Sequence, residues 1–203
     1  MVVIVDYRTG NLGSVANMFK RIGVAATITS EASDIEKADK LILPGVGAFD
    51  SGMNNLGMLG LVPILNHQAL ERKKPVLGIC LGMQLMAKCS EEGKLAGLGW
   101  MDARAVRLAP NGHVGLRVPH MGWNTVNPTK ECPLLQDMPD DSRFYFVHSY
   151  HIVCDNQEDV SSITHYGSDF ASVVHKRNLY GVQFHPEKSH KFGMKILQNF
   201  AKL

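Results

Sequence analysis

The sequence of 203 residues has no long hydrophobic run. No stretch approaches the ~20 consecutive apolar residues of a membrane-spanning helix, so we expect no insertion into a membrane. The first residues, Met1 to Val5, are apolar but lack a basic leader and meet Asp6 at once, unlike a secretory signal peptide. Excess charge is also lacking. The net charge of +2 gives no argument for binding nucleic acid or an anionic membrane surface.

Cysteine is scarce and follows no metal-binding pattern. The four cysteines form no Cys-x-x-Cys pair and have no zinc-ligand spacing, so we expect no metal site. A reducing cytoplasm is the natural setting for free thiols of this kind. The proportions of hydrophobic residues (45%) and charged residues (20%) are ordinary for a globular protein. We therefore expect one domain, residues 1–203, with a sizeable core.

Hydrophobic patterning divides the chain into two halves. The first half alternates strands and helices, and the second half, from Trp100 onward, is rich in strands. The predicted strands are 2–5, 25–29, 40–43, 75–79, 103–108, 125–126, 144–147 and 172–176, and the predicted helices are 12–23, 32–38, 52–71, one from Leu81, and 193–202. Alternation of this kind predicts an α/β fold with an open, mostly parallel sheet flanked by helices, here with a β-rich second half.

One cysteine lies in a motif typical of nucleophiles. An apolar run from Pro75 leads into Cys80, and Gly78 and Gly82 flank the thiol symmetrically. Small residues on both sides allow the sharp strand-to-helix turn of a nucleophile elbow, which presents the side chain to a carbonyl group. A buried cysteine in an ordinary turn between a strand and a helix is the alternative interpretation.

A candidate base and its orienting group occur much later in the chain, as His185-Pro186-Glu187. Residues i and i+2 of an extended segment point to one face, and Pro186 favours extended geometry for His185. The carboxylate of Glu187 is therefore expected to hold the imidazole. A thiol nucleophile requires such a base, and the base requires a third group to fix its tautomer. A strand end with solvated polar side chains is the alternative.

These two motifs, from Gly78 to Gln84 and from His185 to Glu187, resemble those of the class I (triad) glutamine amidotransferases, and the resemblance covers essentially the whole chain. It implies a flavodoxin-like glutaminase fold without a cofactor, in which Cys80, His185 and Glu187 release ammonia from glutamine. The segment from Pro44 to Phe49 resembles the family's oxyanion strand, and its first four residues would by themselves be only a turn.

The same resemblance assigns further residues to the site. It implies that an oxyanion is held by the backbone N–H groups of Leu81 and of Val46 or Gly47. It also implies that Gln84 and the backbone around His148, Ser149 and Tyr150 bind the amino and carboxylate groups of glutamine. Without the resemblance, Gln84 would count as an ordinary helix former.

Finer features are similar to one branch of the family, the glutaminase subunits of imidazole glycerol phosphate synthase. They are Asp6-Tyr7 with Gly10-Asn11-Leu12, the segment from Pro119 to Asn124, and the segment from His185 to Ser189. This similarity implies a heterodimer with a separate (β/α)8-barrel cyclase, for which the chain is too short, since such barrels need about 250 residues. Ammonia would pass to the barrel, which makes imidazole glycerol phosphate and an aminoimidazole carboxamide ribotide in histidine biosynthesis.

The implied interface residues are Asn11, Met121, Trp123 and Asn124. The segment containing the last three would otherwise be interpreted as a surface loop with Trp123 packed against the domain. Arg8-Thr9 departs from the family pattern, which leaves the contact of that loop with a partner open.

Three other functions are compatible with parts of the sequence. The chain could supply ammonia to a paralogous barrel synthase in surface-sugar biosynthesis, or act alone as a cysteine hydrolase on a peptide or thioester. It could also be noncatalytic and only stabilise a partner, although the intact set of Cys80, His185 and Glu187 argues against that role.

Overall fold

A computed structural model describes residues 1–110 and 116–203. The strands are β1 (Val2–Val5), β2 (Ala26–Thr29), β3 (Lys40–Leu43), β4 (Val76–Ile79), β5 (Cys89–Ser90), β6 (Ala103–Arg107), β7 (His120–Thr125), β8 (Asn127–Pro128), β9 (Arg143–His148), β10 (Tyr150–Cys154), β11 (Val160–His165), β12 (Asp169–Lys176) and β13 (Leu179–Val182). The α-helices are α1 (Leu12–Arg21), α2 (Ala32–Lys37), α3 (Phe49–Met58), α4 (Leu61–Asn66), α5 (Leu81–Leu85) and α6 (His190–Lys202), and α4 continues as a π-helical turn (His67–Glu71). None of the helices in these described ranges is long and apolar enough to cross a membrane.

An eight-stranded sheet has the order β2-β1-β3-β4-β13-β12-β11-β8. The first five strands are parallel, and the last three join in antiparallel fashion. The order of the parallel strands is that of flavodoxin-like doubly wound sheets, whose ligands bind at the carboxyl ends of the strands. The predicted open, mostly parallel sheet is confirmed. The β-rich second half supplies β8, β11, β12 and β13 to this sheet and most strands of two smaller sheets, β10-β6-β5 and β7-β9.

Apolar layers cover both faces of the large sheet. In β1, Val3 and Val5 belong to one layer, and Val2 and Ile4 belong to the other. Alternate residues of a strand point to opposite faces, so a continuous apolar run indicates a strand that is buried on both sides. This pattern explains why the parallel strands were recognisable in the sequence.

The structure corrects the predicted helix 52–71. It begins earlier, at Phe49, and is interrupted at Gly60, whose φ of 65° is left-handed. Glycine adopts this conformation without a steric penalty, so the chain breaks there and restarts as α4. The segment from His120 to Thr125 is strand β7 rather than a loop, and the predicted strand 125–126 overlaps it only at Thr125.

The turn from β4 into α5 leaves no room for a side chain at Gly82. A Cβ at this position would lie 1.7 Å from the carbonyl oxygen of Leu43. We expect Gly82→Ala to reduce the free energy of unfolding by about 3 kcal/mol, because backbone must move to relieve the clash. Urea denaturation measures this loss.

Gly57→Ala is the matched control, since no described atom lies within 4 Å of a Cβ at Gly57 in α3. Alanine is the better helix former by about 1 kcal/mol, so this variant should be as stable as the parent or more stable. Equal urea midpoints for the two variants would contradict the proposed crowding at Gly82.

Candidate active site

Cys80 occupies the tip of a strained turn between β4 and α5. Its backbone has φ 52° and ψ −109°, a conformation that residues with a side chain rarely adopt. Backbone strain of this kind persists only where the surroundings enforce it, and it is typical of nucleophile elbows. The turn is closely packed, since a Cβ at Gly78 would lie 2.7 Å from the nitrogen of Met83.

The strand next to β4 brings a histidine to this turn. In the ladder between β4 and β13, Val182 lies opposite Ile79, so the chain leaving β13 passes beside Cys80. Three residues later, the backbone N–H of His185 donates to the carbonyl oxygen of Tyr145 at 2.9 Å. This hydrogen bond fixes the imidazole at the carboxyl edge of the sheet.

His185 and Glu187 form a buried pair. Nδ1 of His185 lies 2.8 Å from Oε1 of Glu187, and the two side chains are only 1% and 2% exposed. The predicted contact is present, but a 3-10 turn (Pro186–Lys188) makes it instead of a continuing extended segment. His185 itself has the expected extended backbone, with φ −101° and ψ 98°.

Each member of this pair stabilises the charged form of the other. Burial disfavours the imidazolium, but contacts with Cys80 and Glu187 outweigh it and raise the pKa of His185 from 6.5 to about 10. Burial alone would raise the pKa of Glu187, yet the hydrogen bonds from His185 and Asn11 hold it below its ordinary value. A protonated His185 beside Glu187 places a positive charge next to Cys80.

Asn11, which the sequence assigned to a partner interface, contacts this pair. Its Nδ2 donates to Oε1 of Glu187 at 3.2 Å. Oε2 of Glu187 and Nε2 of His185 are buried and have no hydrogen-bond partner among the described residues. Since Nδ1 of His185 is committed to Glu187, Nε2 is the nitrogen available for proton transfer with the sulfur or a ligand.

A cavity of about 460 Å³ opens over Cys80. It brings together all of the residues predicted to contact glutamine or an oxyanion, and Glu187 lies behind its wall. Its lining residues are Val46, Gly47, Ala48, Cys80, Leu81, Gln84, Glu92, Pro119, Val147, His148, Ser149, Tyr150 and His185. In the described part of the chain, no three His, Cys, Asp or Glu side chains are grouped as a metal site would require.

The loop after β3 is held by hydroxyl groups from the segment after β1. The Tyr7 hydroxyl donates to the Pro44 carbonyl, and the Thr9 hydroxyl donates to the Val46 carbonyl. The N–H of Val46 donates to Oγ1 of Thr9 at 3.3 Å, so it is engaged away from any ligand in this conformation. Leu81 begins α5, and its N–H therefore has no partner within the helix.

Gln84, which lines the cavity, forms a pair of buried amides with Gln183. Nε2 of Gln84 donates to the Tyr150 carbonyl at 2.9 Å and to Oε1 of Gln183 at 3.3 Å. Both N–H bonds of Gln84 are thus committed, and it can offer a ligand only its carbonyl oxygen. Gln183 was not assigned a role from the sequence, although its position two residues before His185 in an extended run places both on one face.

Glu92 was also missed. Its carboxylate accepts from the N–H of Phe49 at 2.8 Å, which fixes it at the start of α3 and on the cavity wall. A carboxylate at this position suits a ligand with a cationic group. No sequence pattern pointed to this residue, because Glu92 lies in an irregular segment with no motif around it.

A chain of neutral histidines joins the exposed β7 to the cavity. Nδ2 of Asn124 lies 3.3 Å from Nε2 of His120, whose Nδ1 lies 3.1 Å from Nε2 of His148. Nδ1 of His148 donates to the Tyr150 carbonyl at 3.0 Å. Burial lowers the pKa of His120 to about 4 and, with the nearby His120, that of His148 to about 3. Each ring therefore has one donor and one acceptor, and all donors point from β7 toward the cavity.

The α/β fold, with a cavity over Cys80, His185 and Glu187 at the carboxyl edge of the sheet, is that of a family of enzymes. The family model for glutamine amidotransferase class-I matches residues 3–203, and the chain belongs to this family. A solved glutamine amidotransferase has a TM-score of 0.73 at 19% identity over 100% of this chain and 98% of its own. Another, from Thermotoga maritima, has a TM-score of 0.67 at 16% identity over 99% of this chain and 82% of its own.

Two curated relatives are much more similar in sequence. Imidazole glycerol phosphate synthase subunit HisH 2 of Methanococcus maripaludis is 51% identical over 100% of this chain and 99% of its own. The protein of the same name from Pseudomonas aeruginosa is 49% identical over 100% of both chains. The resemblance inferred from the motifs is confirmed at the level of the family and of this branch.

The neutral histidines make stability depend on pH. In the unfolded chain a histidine has a pKa near 6.5. Below this pH, His120 and His148 are therefore protonated in the unfolded chain but remain neutral in the folded protein. Stability should therefore fall between pH 6.5 and about 4, by up to ~1.4 kcal/mol per pH unit for each ring. Urea unfolding at several pH values in this window measures the slope.

His120→Gln separates this effect from other titrating groups. It removes one of the two rings and should make the slope shallower by up to ~1.4 kcal/mol per pH unit, whatever its effect at neutral pH. An unchanged slope in the variant would show that His120 is not held neutral in the folded protein.

Proposed function

We propose that this chain is the glutaminase subunit of imidazole glycerol phosphate synthase and hydrolyses glutamine to glutamate and ammonia. The observation that carries the proposal is the buried contact of 2.8 Å between His185 and Glu187 beside Cys80, whose backbone is strained. The identity of 51% and 49% to two subunits of that name supports the pathway. No cofactor is required for this chemistry.

Cys80 is the proposed nucleophile. Its anionic sulfur attacks the side-chain amide carbon of glutamine and forms a tetrahedral intermediate whose oxygen is negative. The free N–H of Leu81 and an N–H of Val46 or Gly47 would hold this oxygen, each donor contributing about 3 kcal/mol. Because Val46 donates to Thr9 at 3.3 Å, its use in the reaction requires that hydrogen bond to break.

His185 is the proposed acid and base. As the intermediate collapses, Nε2 gives its proton to the departing nitrogen, so that ammonia leaves and a thioester joins Cys80 to the glutamyl group. Nε2 then takes a proton from water, which attacks the thioester, and glutamate leaves as the thiolate forms again. Glu187 keeps Nδ1 protonated throughout, because its Oε1 accepts from that nitrogen at 2.8 Å.

The cavity wall also fits the other end of the substrate. The carbonyl oxygen of Gln84 and the carboxylate of Glu92 are acceptors, and they suit the α-ammonium group of glutamine. The backbone around His148, Ser149 and Tyr150 forms the facing wall and is proposed to contact the α-carboxylate.

The proposed partner is a (β/α)8-barrel cyclase that receives the ammonia. The exposed side chains of Met121 (62%) and Trp123 (46%) on β7 form an apolar surface for it. Trp123 lies opposite Tyr145 on β9, and the Tyr145 carbonyl accepts from the N–H of His185, so this surface is one strand from the catalytic histidine. A partner that contacts Asn11 would also affect Glu187, because Nδ2 of Asn11 donates to the Glu187 carboxylate at 3.2 Å.

We also propose the cytoplasm as the site of the reaction. All four cysteines, including the proposed nucleophile, are free thiols. A reducing compartment keeps such thiols unoxidised.

Cys80→Ala tests the nucleophile. With the barrel partner and its nucleotide ligand present, glutamate release should fall by at least ~10³-fold, because the thioester cannot form without the sulfur of Cys80. Binding of the partner, measured by titration calorimetry, should stay unchanged. Cys89→Ala is the matched control, since Cys89 is exposed and lies outside the cavity. Substantial glutamate release by Cys80→Ala would show that the nucleophile is misassigned.

Trp123→Ala tests the partner surface. Loss of a large, half-exposed aromatic side chain should weaken barrel binding by about 10-fold to 100-fold and reduce stimulation of glutamate release at limiting barrel concentration. Met58→Ala serves as the control, because Met58 is 71% exposed but lies at the far end of α3 from the cavity. Equal affinities of both variants for the barrel would remove Trp123 from the interface.

A second candidate partner is a paralogous barrel synthase of surface-sugar biosynthesis. The relatives from Methanococcus maripaludis and Pseudomonas aeruginosa are both named HisH 2, which indicates that each of these organisms has more than one such subunit. The glutaminase chemistry would be identical. Stimulation of glutamate release by a histidine-pathway barrel with its nucleotide ligand, compared with the paralogous barrel, distinguishes the two.

A further inference from the structure

Gln183 lies directly beside the sulfur of Cys80. Its side chain is fully buried, and its Nε2 lies 3.6 Å from Sγ of Cys80. We infer that Gln183 is a further catalytic residue, whose amide N–H donates to the sulfur and stabilises the thiolate. The inference rests on the proposed function, because it concerns the nucleophile of that reaction.

A backbone carbonyl fixes the orientation of the Gln183 amide. The Tyr150 carbonyl can only accept, so the Gln84 atom that lies 2.9 Å from it is the amide nitrogen. That nitrogen also lies 3.3 Å from the amide of Gln183. A nitrogen of Gln183 at this contact would face a second donor, so the atom there is oxygen. The Gln183 nitrogen is thereby turned toward Cys80.

The Val147 carbonyl and the Gln183 amide favour different protonation states of the Cys80 sulfur. The Val147 carbonyl, 3.9 Å from Sγ, can only accept and can therefore bond only to the protonated thiol. The Gln183 amide is a donor, and a donor stabilises the charged form of its acceptor. Gln183 thus adds to the effect of the protonated His185, from a different direction and without a charge of its own.

Because the contact between Gln183 and Cys80 is buried, its loss is expected to destabilise the thiolate. Gln183 is 0% exposed, so water does not take over the hydrogen bond when the N–H is removed. A residue that served packing alone would need only the right shape, which the side chain of methionine supplies. A residue that acts on the sulfur needs the N–H, which methionine lacks. Gln183→Met therefore separates the two roles.

The test is the alkylation of Cys80 by iodoacetamide as a function of pH, followed by mass spectrometry of the peptide that contains it. The thiolate is the reactive form. For Gln183→Met the pH of half-maximal rate should rise by about one unit, and at pH values below the parent's midpoint alkylation should be about tenfold slower. The exposed Cys89, read out in the same digest, is the internal control, and its rate should not change.

Gln183→Glu provides a second, isosteric variant in case Gln183→Met does not fold. It replaces the donor with an oxygen that repels the thiolate, so the pH of half-maximal rate should rise by more than one unit. Gln68→Met controls for the loss of a buried amide, since Gln68 is 1% exposed and lies outside the cavity. Alkylation profiles of Cys80 that coincide for the parent and the Gln183 variants would overturn the inference.

Glutamate release by the parent chain with its barrel partner is measured separately. An active parent whose Cys80 alkylation does not depend on Gln183 refutes this inference and leaves the proposed function in place. An inactive parent whose Cys80 alkylation does depend on Gln183 refutes the proposed function and supports the role of Gln183 at the sulfur.

Discussion

Parallel pairing between β4 and β13 fixes the positions of the reacting groups. Val182 lies opposite Ile79, and the N–H of Cys80 donates to the Val182 carbonyl at 2.8 Å. Gln183 therefore lies beside Cys80 at the carboxyl edge of the sheet, and His185 follows two residues later. A slip of one residue would turn Gln183 and His185 to the opposite face. The apolar cores on both sides of the sheet prevent that slip, so packing far from the cavity maintains its chemistry.

The segment after β1 connects two parts of the site. Alternate residues in it, Tyr7, Thr9 and Asn11, contact the carbonyl of Pro44, the backbone of Val46 and the carboxylate of Glu187. Burial, and to a lesser extent Cys80, raise the pKa of Tyr7 above its usual range, so its hydroxyl remains a neutral donor. A displacement of this short segment would change the loop after β3 and the support of His185 together.

The sequence predicted those parts of the molecule that depend on local chemistry. The parallel strands were evident from their apolar runs, and Cys80 and His185 from the small or polar residues around them. In the β-rich half, the predicted strands 103–108, 144–147 and 172–176 overlap β6, β9 and β12. The strand β7 was missed, because it alternates buried His120 with exposed Met121 and Trp123 and so lacks an ordinary apolar face. The contact of Gln183 with Cys80 depends on the register of strands far apart in sequence, which no local pattern encodes.

Two polar networks with different charge meet at the cavity. One is ionic and joins His185 to Glu187 beside Cys80, and the other is neutral and joins Asn124 to the Tyr150 carbonyl through two histidines. The Tyr150 carbonyl also accepts from Gln84, whose other N–H holds Gln183 against the sulfur. A change in the exposed β7 can therefore reach the nucleophile through hydrogen bonds alone. Because His120 and His148 stay neutral at physiological pH, the connection transmits orientation without placing a further charge near Cys80.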